Sequence, residues 1–387
     1  MRVLFIQQGL GYGGASQSLI QMQKCLKDDV EMFTILKKNR RLNQKLRHLL
    51  IHSKEIVEMD IPGVYHYSEG KSSQEDLDYA MEYDAQELIH FILDKQIDIV
   101  HVNASVFSNL YEDIKSKTNA KIVTHIREVI PQSDDTITRF MVKEIRQFSD
   151  WIIPIAQEEM YYFSDLPQCQ MVINPVDTSV FCLGKAMTEQ GVIRLGMVAN
   201  FNPLKGHLLF LEVASILNQM NAGAQILQFE MLGLPKPGFL HYKAWLPLKR
   251  FAYYREVMSK YKSLQLQNVR LLPFRTEVQS VIQHWHIGLR LEKSMMPWGR
   301  DVLELMSSGV AVVAVGNSEV VIQNGTSGIL VDSLDAQSIA AKIQELIVDA
   351  EKRKSIATIA RQWVEENASV PVYREQILSI YKKVLTT

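Results

Sequence analysis

Short runs of β-branched and apolar residues recur along this chain, separated by longer stretches with apolar positions every three to four residues. In the first half the runs are RVLFI at 2–6, EMFTIL at 31–36, DIVHV at 98–102, KIVTHI at 121–126 and DWIIPI at 150–155. In the second half they are IRLGMVA at 193–199, FEMLG at 229–233, VRLLPF at 269–274, HIGLRL at 286–291, VAVVAVG at 310–316 and GILVD at 328–332. Strands that alternate with helical patterns build βαβ units, and near-continuous apolar runs mark strands covered on both faces. The chain is therefore expected to be α/β with parallel sheets. Each half has its own set of runs, and 387 residues exceed what a single core of roughly 250–300 residues comfortably holds. Two doubly wound domains are expected.

Between them lies VINPVDTSVFCLGKAMTEQGV, 172–192, whose later part is small, polar and without periodicity. A hinge near 183–192 divides the expectation into domains 1–185 and 186–365, with a final segment 366–387 that holds the helical pattern VYREQILSIYKKVL behind Pro371.

Charge and cysteine usage exclude several classes. Lys and Arg number 42 against 43 Asp and Glu, so nothing marks a general nucleic-acid binder. Cys25, Cys169 and Cys182 are far apart and odd in number, with no metal-ligand spacing. The apolar opening is interrupted at Gln7, and no run approaches the roughly 20 residues of a membrane span. The expected location is cytoplasmic, with room for a peripheral position on a membrane surface. One stretch bears on that position. Residues 236–262, KPGFLHYKAWLPLKRFAYYREVMSKYK, mix seven Lys or Arg with seven aromatics and one acid. Such a mixture suits anionic headgroups or a phosphorylated acceptor. A solvated helical insertion whose aromatics pack on its own domain is the plainer account of it.

Behind the first run, IQQGLGYGGASQS at 6–18 spaces Gly9, Gly11 and Gly14 as G-x-G-x-x-G. A dinucleotide site also needs an acid about 20 residues on to hold the ribose hydroxyls. Here Lys37, Lys38, Asn39, Arg40 and Arg41 follow the second run instead. That weakens an NAD(P) oxidoreductase reading without eliminating it.

A second nucleotide site is read at LEKSMMPWGRDVLELMSSGVAVVAVG, 291–316. Pro297, Trp298 and Gly299 close a turn, and Arg300 to Ser308 reads as a helix ended by Gly309. The open N–H groups at such a helix start favour phosphate. Arg300 and Glu304 share a face at i, i+4, and a carboxylate one turn into the helix can accept hydrogen bonds from a ribose diol.

At these residues the sequence resembles the retaining family 4 glycosyltransferases of the GT-B fold. The likeness runs in order through GGAS at 13–16, VTHIRE at 123–128, INPVDTSVF at 173–181, LGMVANFNPLKGH at 195–207 and PWGRDVLELMSSGVAVVAV with VVIQNGTSGILV at 320–331. The resemblance implies two Rossmann-like domains facing a central cleft, with the last helix crossing back to the N-terminal domain. It implies transfer of a hexose, with retention and without a metal or cofactor, from a UDP- or GDP-linked donor. The implied acceptor is a glycan or lipid-linked precursor of bacterial surface polysaccharide. Gly13 and Gly14 would bring backbone to the donor diphosphate, His125 would face the donor sugar, Lys205 would neutralise the leaving diphosphate and Glu304 would hold the ribose. Asn200, Met296, Gly299 and Arg300 complete the implied donor site.

Two positions depart from the family pattern. Met296 stands where the first glutamate of the E-x7-E pair belongs, and Ala199 or Asn200 where an arginine belongs. Glu292 is the candidate replacement carboxylate and Arg300 the candidate replacement cation. A catalytically silent nucleotide-binding partner subunit, and more remotely a nucleotide-sugar epimerase, therefore remain as alternatives.

Overall fold

The computed structural model describes residues 1–8, 14–64, 74–184, 191–221, 225–235 and 248–386, with residues 40–42, 45 and 248–250 described by their backbone. Gly9, Gly11 and Gly13, the 185–190 part of the hinge, and the 236–247 part of the basic aromatic stretch lie outside the described residues. The chain forms two compact units, Met1–Pro175 with Val370–Thr387, and Val176–Ser369.

Unit 1 is built on β1 (Arg2–Gln7), β2 (Glu31–Lys37), β3 (Ser53–Met59), β4 (Ile99–Val102), β5 (Lys121–Ile126) and β6 (Trp151–Pro154), ordered β3-β2-β1-β4-β5-β6. Every pairing is parallel, with Arg2 opposite Glu31 and Val3 opposite Ile99. Alternate residues of β1 serve opposite faces. Leu4 and Ile6 join a core with Leu88, Ile92, Met141 and Ile145 from the helices Gln86–Asp94 and Thr136–Phe148. Val3 and Phe5 join Leu19 and Met22 of the helix Gly14–Leu26 and Tyr373, Ile377, Tyr381 and Val384 of the helix Val370–Thr386. The last helix is thus a wall of the N-terminal core.

The sequence reading names five of these six strands and misses β3. Its sequence, SKEIVEM, is charged and half-buried because it lies at the sheet edge, where lysine and glutamate discourage further pairing.

Unit 2 has β7 (Val192–Val198), β8 (Ile226–Leu234), β9 (Val269–Pro273), β10 (Ile287–Arg290), β11 (Ala311–Val315) and β12 (Ile329–Val331), ordered β12-β11-β10-β7-β8-β9 and again all parallel. All six coincide with the expected runs. β11 is buried along its whole length, as a central parallel strand covered on both faces requires.

The unit boundary precedes the segment read as a hinge. Val176 N–H donates to the Ala368 carbonyl at 2.8 Å, Ser307 Oγ donates to the Phe181 carbonyl at 2.6 Å, and Gly184 N–H donates to the Ser308 carbonyl at 3.0 Å. Residues 176–184 are therefore stitched into unit 2.

Of the basic aromatic stretch, Leu248–Ser263 is a helix. Tyr253 and Val257 are buried against unit 2, the Tyr253 ring centroid lies 5.1 Å from that of Phe201, and Lys260 pairs with Glu212 at 2.8 Å. Among the described residues, no helix is long and apolar enough to cross a membrane.

Candidate functional site

In an open parallel sheet, ligands gather at the carboxyl ends of the strands where the chain order reverses. In unit 2 that point lies between β7 and β10. The segment leaving β7 makes a tight turn at Pro203–Lys205. Asn202 caps it by accepting from Leu204 N–H at 2.9 Å, and Gly206 ends it in the left-handed region, at φ 77°. An added Cβ on Gly206 would stand 2.0 Å from the Leu291 carbonyl oxygen, so only glycine lets this turn lie against the exit of β10. Lys293 N–H closes the contact by donating to the Leu204 carbonyl at 2.7 Å.

This close approach places Lys205 Nζ 2.7 Å from a carboxylate oxygen of Glu292. Glu292 also accepts from Arg290, the last residue of β10, at 2.5 Å. Arg290 uses its whole fork. Its Nε donates to the Met296 carbonyl at 2.8 Å and another nitrogen donates to Asp301 at 2.6 Å. Burial works against its charge, but the Asp301 and Glu292 carboxylates outweigh that and hold its pKa above the ordinary arginine value. Gly299 lies directly over it, since a Cβ there would sit 3.0 Å from the guanidinium. The turn 292–299 is in this way moulded on one buried arginine.

Gly299 then starts the helix Arg300–Ser307 without a side-chain cap, and its carbonyl accepts from Val302 N–H at 3.1 Å and Leu303 N–H at 3.2 Å. Glu304 is buried, and its carboxylate accepts from Arg300 Nε at 2.7 Å. Burial raises its pKa, and Arg300 opposes that rise. Arg300, the candidate replacement cation, is thus engaged with the ribose candidate. Met296 is half-buried and contributes its carbonyl to Arg290, while Asn200 is exposed beyond the end of β7. Trp298 is buried in the turn, with no partner for its Nε1 among the described residues. No group of three His, Cys, Asp or Glu among the described residues could hold a metal.

The unit 1 cluster occupies the equivalent place, around the β1–β4 switch point. Gly14 begins the helix behind β1, and a Cβ added there would meet nothing within 4 Å among the described residues. Gln7, at the end of β1, accepts from Asn103, just beyond β4. Asn103 accepts from Arg127 Nε at 2.6 Å, and Arg127 also reaches Asn174 and, at 3.3 Å, Nδ1 of His125. The neighbouring Glu128 carboxylate accepts from Ser105 N–H and Oγ, each at 2.9 Å, and burial raises its pKa. His125, on β5, is fully buried. Its Nδ1 lies 3.1 Å from Nε2 of His101 on β4, and its Nε2 has no partner among the described residues.

Six of the predicted residues therefore fall in unit 2, where Lys205, Met296 and Gly299 belong to one network, Arg300 and Glu304 pair beside it, and Asn200 stands apart. His125 and Gly14 fall in unit 1, and Gly13 lies outside the described residues. The sequence reading missed Arg290, Asp301, His101, Asn103 and Arg127. Two of these carried a signal: an arginine in HIGLRL and a histidine in DIVHV interrupt runs otherwise built for burial, where a polar side chain must find a partner.

Two all-parallel six-stranded sheets flanked by helices, each with a polar cluster at the carboxyl ends of its strands, define a protein of GT-B architecture. Residues 188–363, most of unit 2, match the family model of glycosyl transferases group 1. Solved structures agree over the whole chain. An Anabaena protein, Alr3699/HepE, determined in complex with UDP, has 17% sequence identity, with 99% of this chain and 100% of that one covered and a TM-score of 0.78. A glycosyltransferase from Rickettsia africae has 18% identity, 100% and 99% coverage and a TM-score of 0.74. Sucrose-phosphate synthase from Thermosynechococcus elongatus has 13% identity, 100% and 99% coverage and a TM-score of 0.73. No curated protein matches the chain in sequence.

Proposed function

We propose that this protein is a retaining glycosyltransferase that moves a hexose from a UDP- or GDP-linked donor to a glycan or lipid-linked acceptor of bacterial surface polysaccharide. The observation that carries the reading is Lys205 held at the β7–β10 switch point beside an uncapped helix start, inside the family-matched domain. When the bond between the sugar's anomeric carbon and the diphosphate oxygen breaks, negative charge builds on the leaving diphosphate. Fixed cations and oriented N–H groups stabilise such charge without rearranging during the reaction. In this reading Lys205 and the first N–H groups of Arg300–Ser307 do that work, with no metal or other cofactor, and Glu304 accepts from the ribose hydroxyls.

From unit 1, His125 and the backbone at Gly13 and Gly14 meet the donor sugar, whose ring becomes oxocarbenium-like as the bond breaks. The acceptor hydroxyl attacks the face the diphosphate leaves. A UDP-linked donor is supported by the UDP and UDP-glucose complexes of the Anabaena protein. In the same reading the protein works at the inner face of the plasma membrane, where the cations of 236–262 meet the phosphates of a lipid-linked acceptor.

Titration calorimetry with UDP, GDP, ADP and NADP, followed by turnover assays with the matching nucleotide sugars, tests the reading. Binding of one nucleoside diphosphate with sugar release or transfer is expected. Tight NADP binding with no response to nucleoside diphosphates would overturn it. Donor binding with no turnover would favour a binding subunit, the reading that Met296 in place of a glutamate supports.

A further inference from the structure

The polar chain inside unit 1 does not stop at His125. Tyr381, on the helix Val370–Thr386, lies with its hydroxyl 2.7 Å from Nδ1 of His101, and Nε2 of His101 lies 3.1 Å from Nδ1 of His125. All three side chains are fully buried. Burial and the nearby Arg127 charge hold both imidazoles well below their ordinary pKa, so each ring is neutral and carries one proton.

The proton positions then follow from what each group can do. A guanidinium only donates, and Arg127 points an N–H at Nδ1 of His125. That nitrogen must be the bare one, so the proton of His125 is on Nε2. Nδ1 of His125 can accept from His101 only if His101 carries its own proton on Nε2. Nδ1 of His101 is then bare, and Tyr381 donates to it. The bonds run in one direction, from the phenol of the last helix to the imidazole of β5. At their end stands an Nε2–H group that is buried and without a partner among the described residues. Leaving such a buried donor unmade is unfavourable, so the site is arranged for an incoming acceptor oxygen.

We infer that Tyr381 and His101 are positioning residues that, acting with the Arg127 N–H on the same nitrogen, lock His125 as the Nε2–H tautomer, so that it meets the donor sugar as a neutral hydrogen-bond donor and not as a base. The sugar as its partner rests on the function proposed above. The locked tautomer stands on the geometry of unit 1 alone.

Long-range 15N–1H correlation on histidine-labelled full-length protein reads both tautomers directly. His125 and His101 protonated on Nε2 are expected, and His125 protonated on Nδ1 overturns the inference. Tyr381→Phe keeps the ring in the core but removes the donor. It should mix the tautomers and lower kcat about tenfold or more at unchanged donor KM, the scale seen when an outer partner orienting a site imidazole is lost. His101→Gln offers an acceptor and a donor at similar spacing and should retain activity, whereas His101→Leu should not. A Tyr381→Phe protein with unaltered tautomers and kcat overturns the relay. If the wild type transfers no sugar from any donor tested, the function fails and the tautomers alone judge the relay.

Discussion

Lys205 and Glu292 are 87 residues apart in sequence and 2.7 Å apart in space, so this cation carries its own counter-ion. Glu292 is shared with Arg290, which is also neutralised by Asp301. The four charges cancel, and under the proposed function an incoming diphosphate would compete with Glu292 for Lys205.

Removing the cation should weaken UDP binding in Lys205→Met by about 10–100-fold, the worth of one charge-assisted hydrogen bond. Glu292→Gln should shift it the other way, strengthening binding by about 1 kcal/mol, roughly fivefold, because the cluster becomes net positive. Calorimetry on the two variants checks the opposed signs, and the same sign in both would contradict the competition.

Arg290 donates in three directions from one planar fork, which an ammonium on a flexible stem cannot reproduce. Arg290→Met should cost about 3–5 kcal/mol in urea unfolding, because it leaves Glu292 and Asp301 without their shared partner. Arg290→Lys should recover only part of the loss.

At Gly206, alanine would combine a left-handed backbone with a collision against the Leu291 carbonyl. Gly206→Ala should destabilise the protein by at least about 1–3 kcal/mol and weaken nucleotide binding, since the turn that carries Lys205 must back away from β10. Thermal unfolding and calorimetry on the same preparation report the two effects.

Glu159 is buried in unit 1, and burial lifts its pKa to about 7 from an ordinary 4.5. The folded state holds this proton more tightly than the unfolded chain. The resulting stabilisation is complete below pH 4.5 and is lost as pH rises to about 7, a total of about 3 kcal/mol. Glu159→Gln should abolish that slope and make the protein more stable than wild type at pH 8, measured by urea unfolding at pH 5 and pH 8.

Met296 stands where the resemblance places a carboxylate. If the enzyme works with weaker stabilisation of the glycosyl centre, Met296→Glu should raise kcat by about 10²–10³ without changing the affinity for UDP alone. Unchanged turnover in steady-state assays would count against that explanation.

The strands were legible because central parallel strands must be apolar on both faces, and three of the four edge strands, β6, β9 and β12, also keep mainly apolar runs. β3 escaped because an edge strand is allowed its lysine and glutamates. Gly299 and Glu304 stand out in a local turn-and-helix pattern whose chemistry is short-range, and Lys205 stands out through the family resemblance. The partners that fix them could not be found in this way. Glu292 reaches Lys205 only after β10 has been laid beside β7, and His101 meets Tyr381 from 280 residues away. What the sequence does show is the anomaly that Arg290 and His101 leave behind, a charged or titratable residue inside a run meant for burial.

The last helix has a consequence for how the protein is made. Unit 2 is one continuous stretch, Val176–Ser369, and all of it leaves the ribosome before Val370–Thr386 does. Until then the N-terminal sheet lacks Tyr373, Ile377, Tyr381 and Val384 against Val3 and Phe5, and Nδ1 of His101 lacks its donor. At about 5–20 residues per second, a nascent unit 1 waits on the order of ten seconds or more with part of one apolar face uncovered, while the unit synthesised after it is already complete enough to fold. The first domain to be translated is thus the last to be finished, and a chaperone that shields exposed strands would find its substrate there.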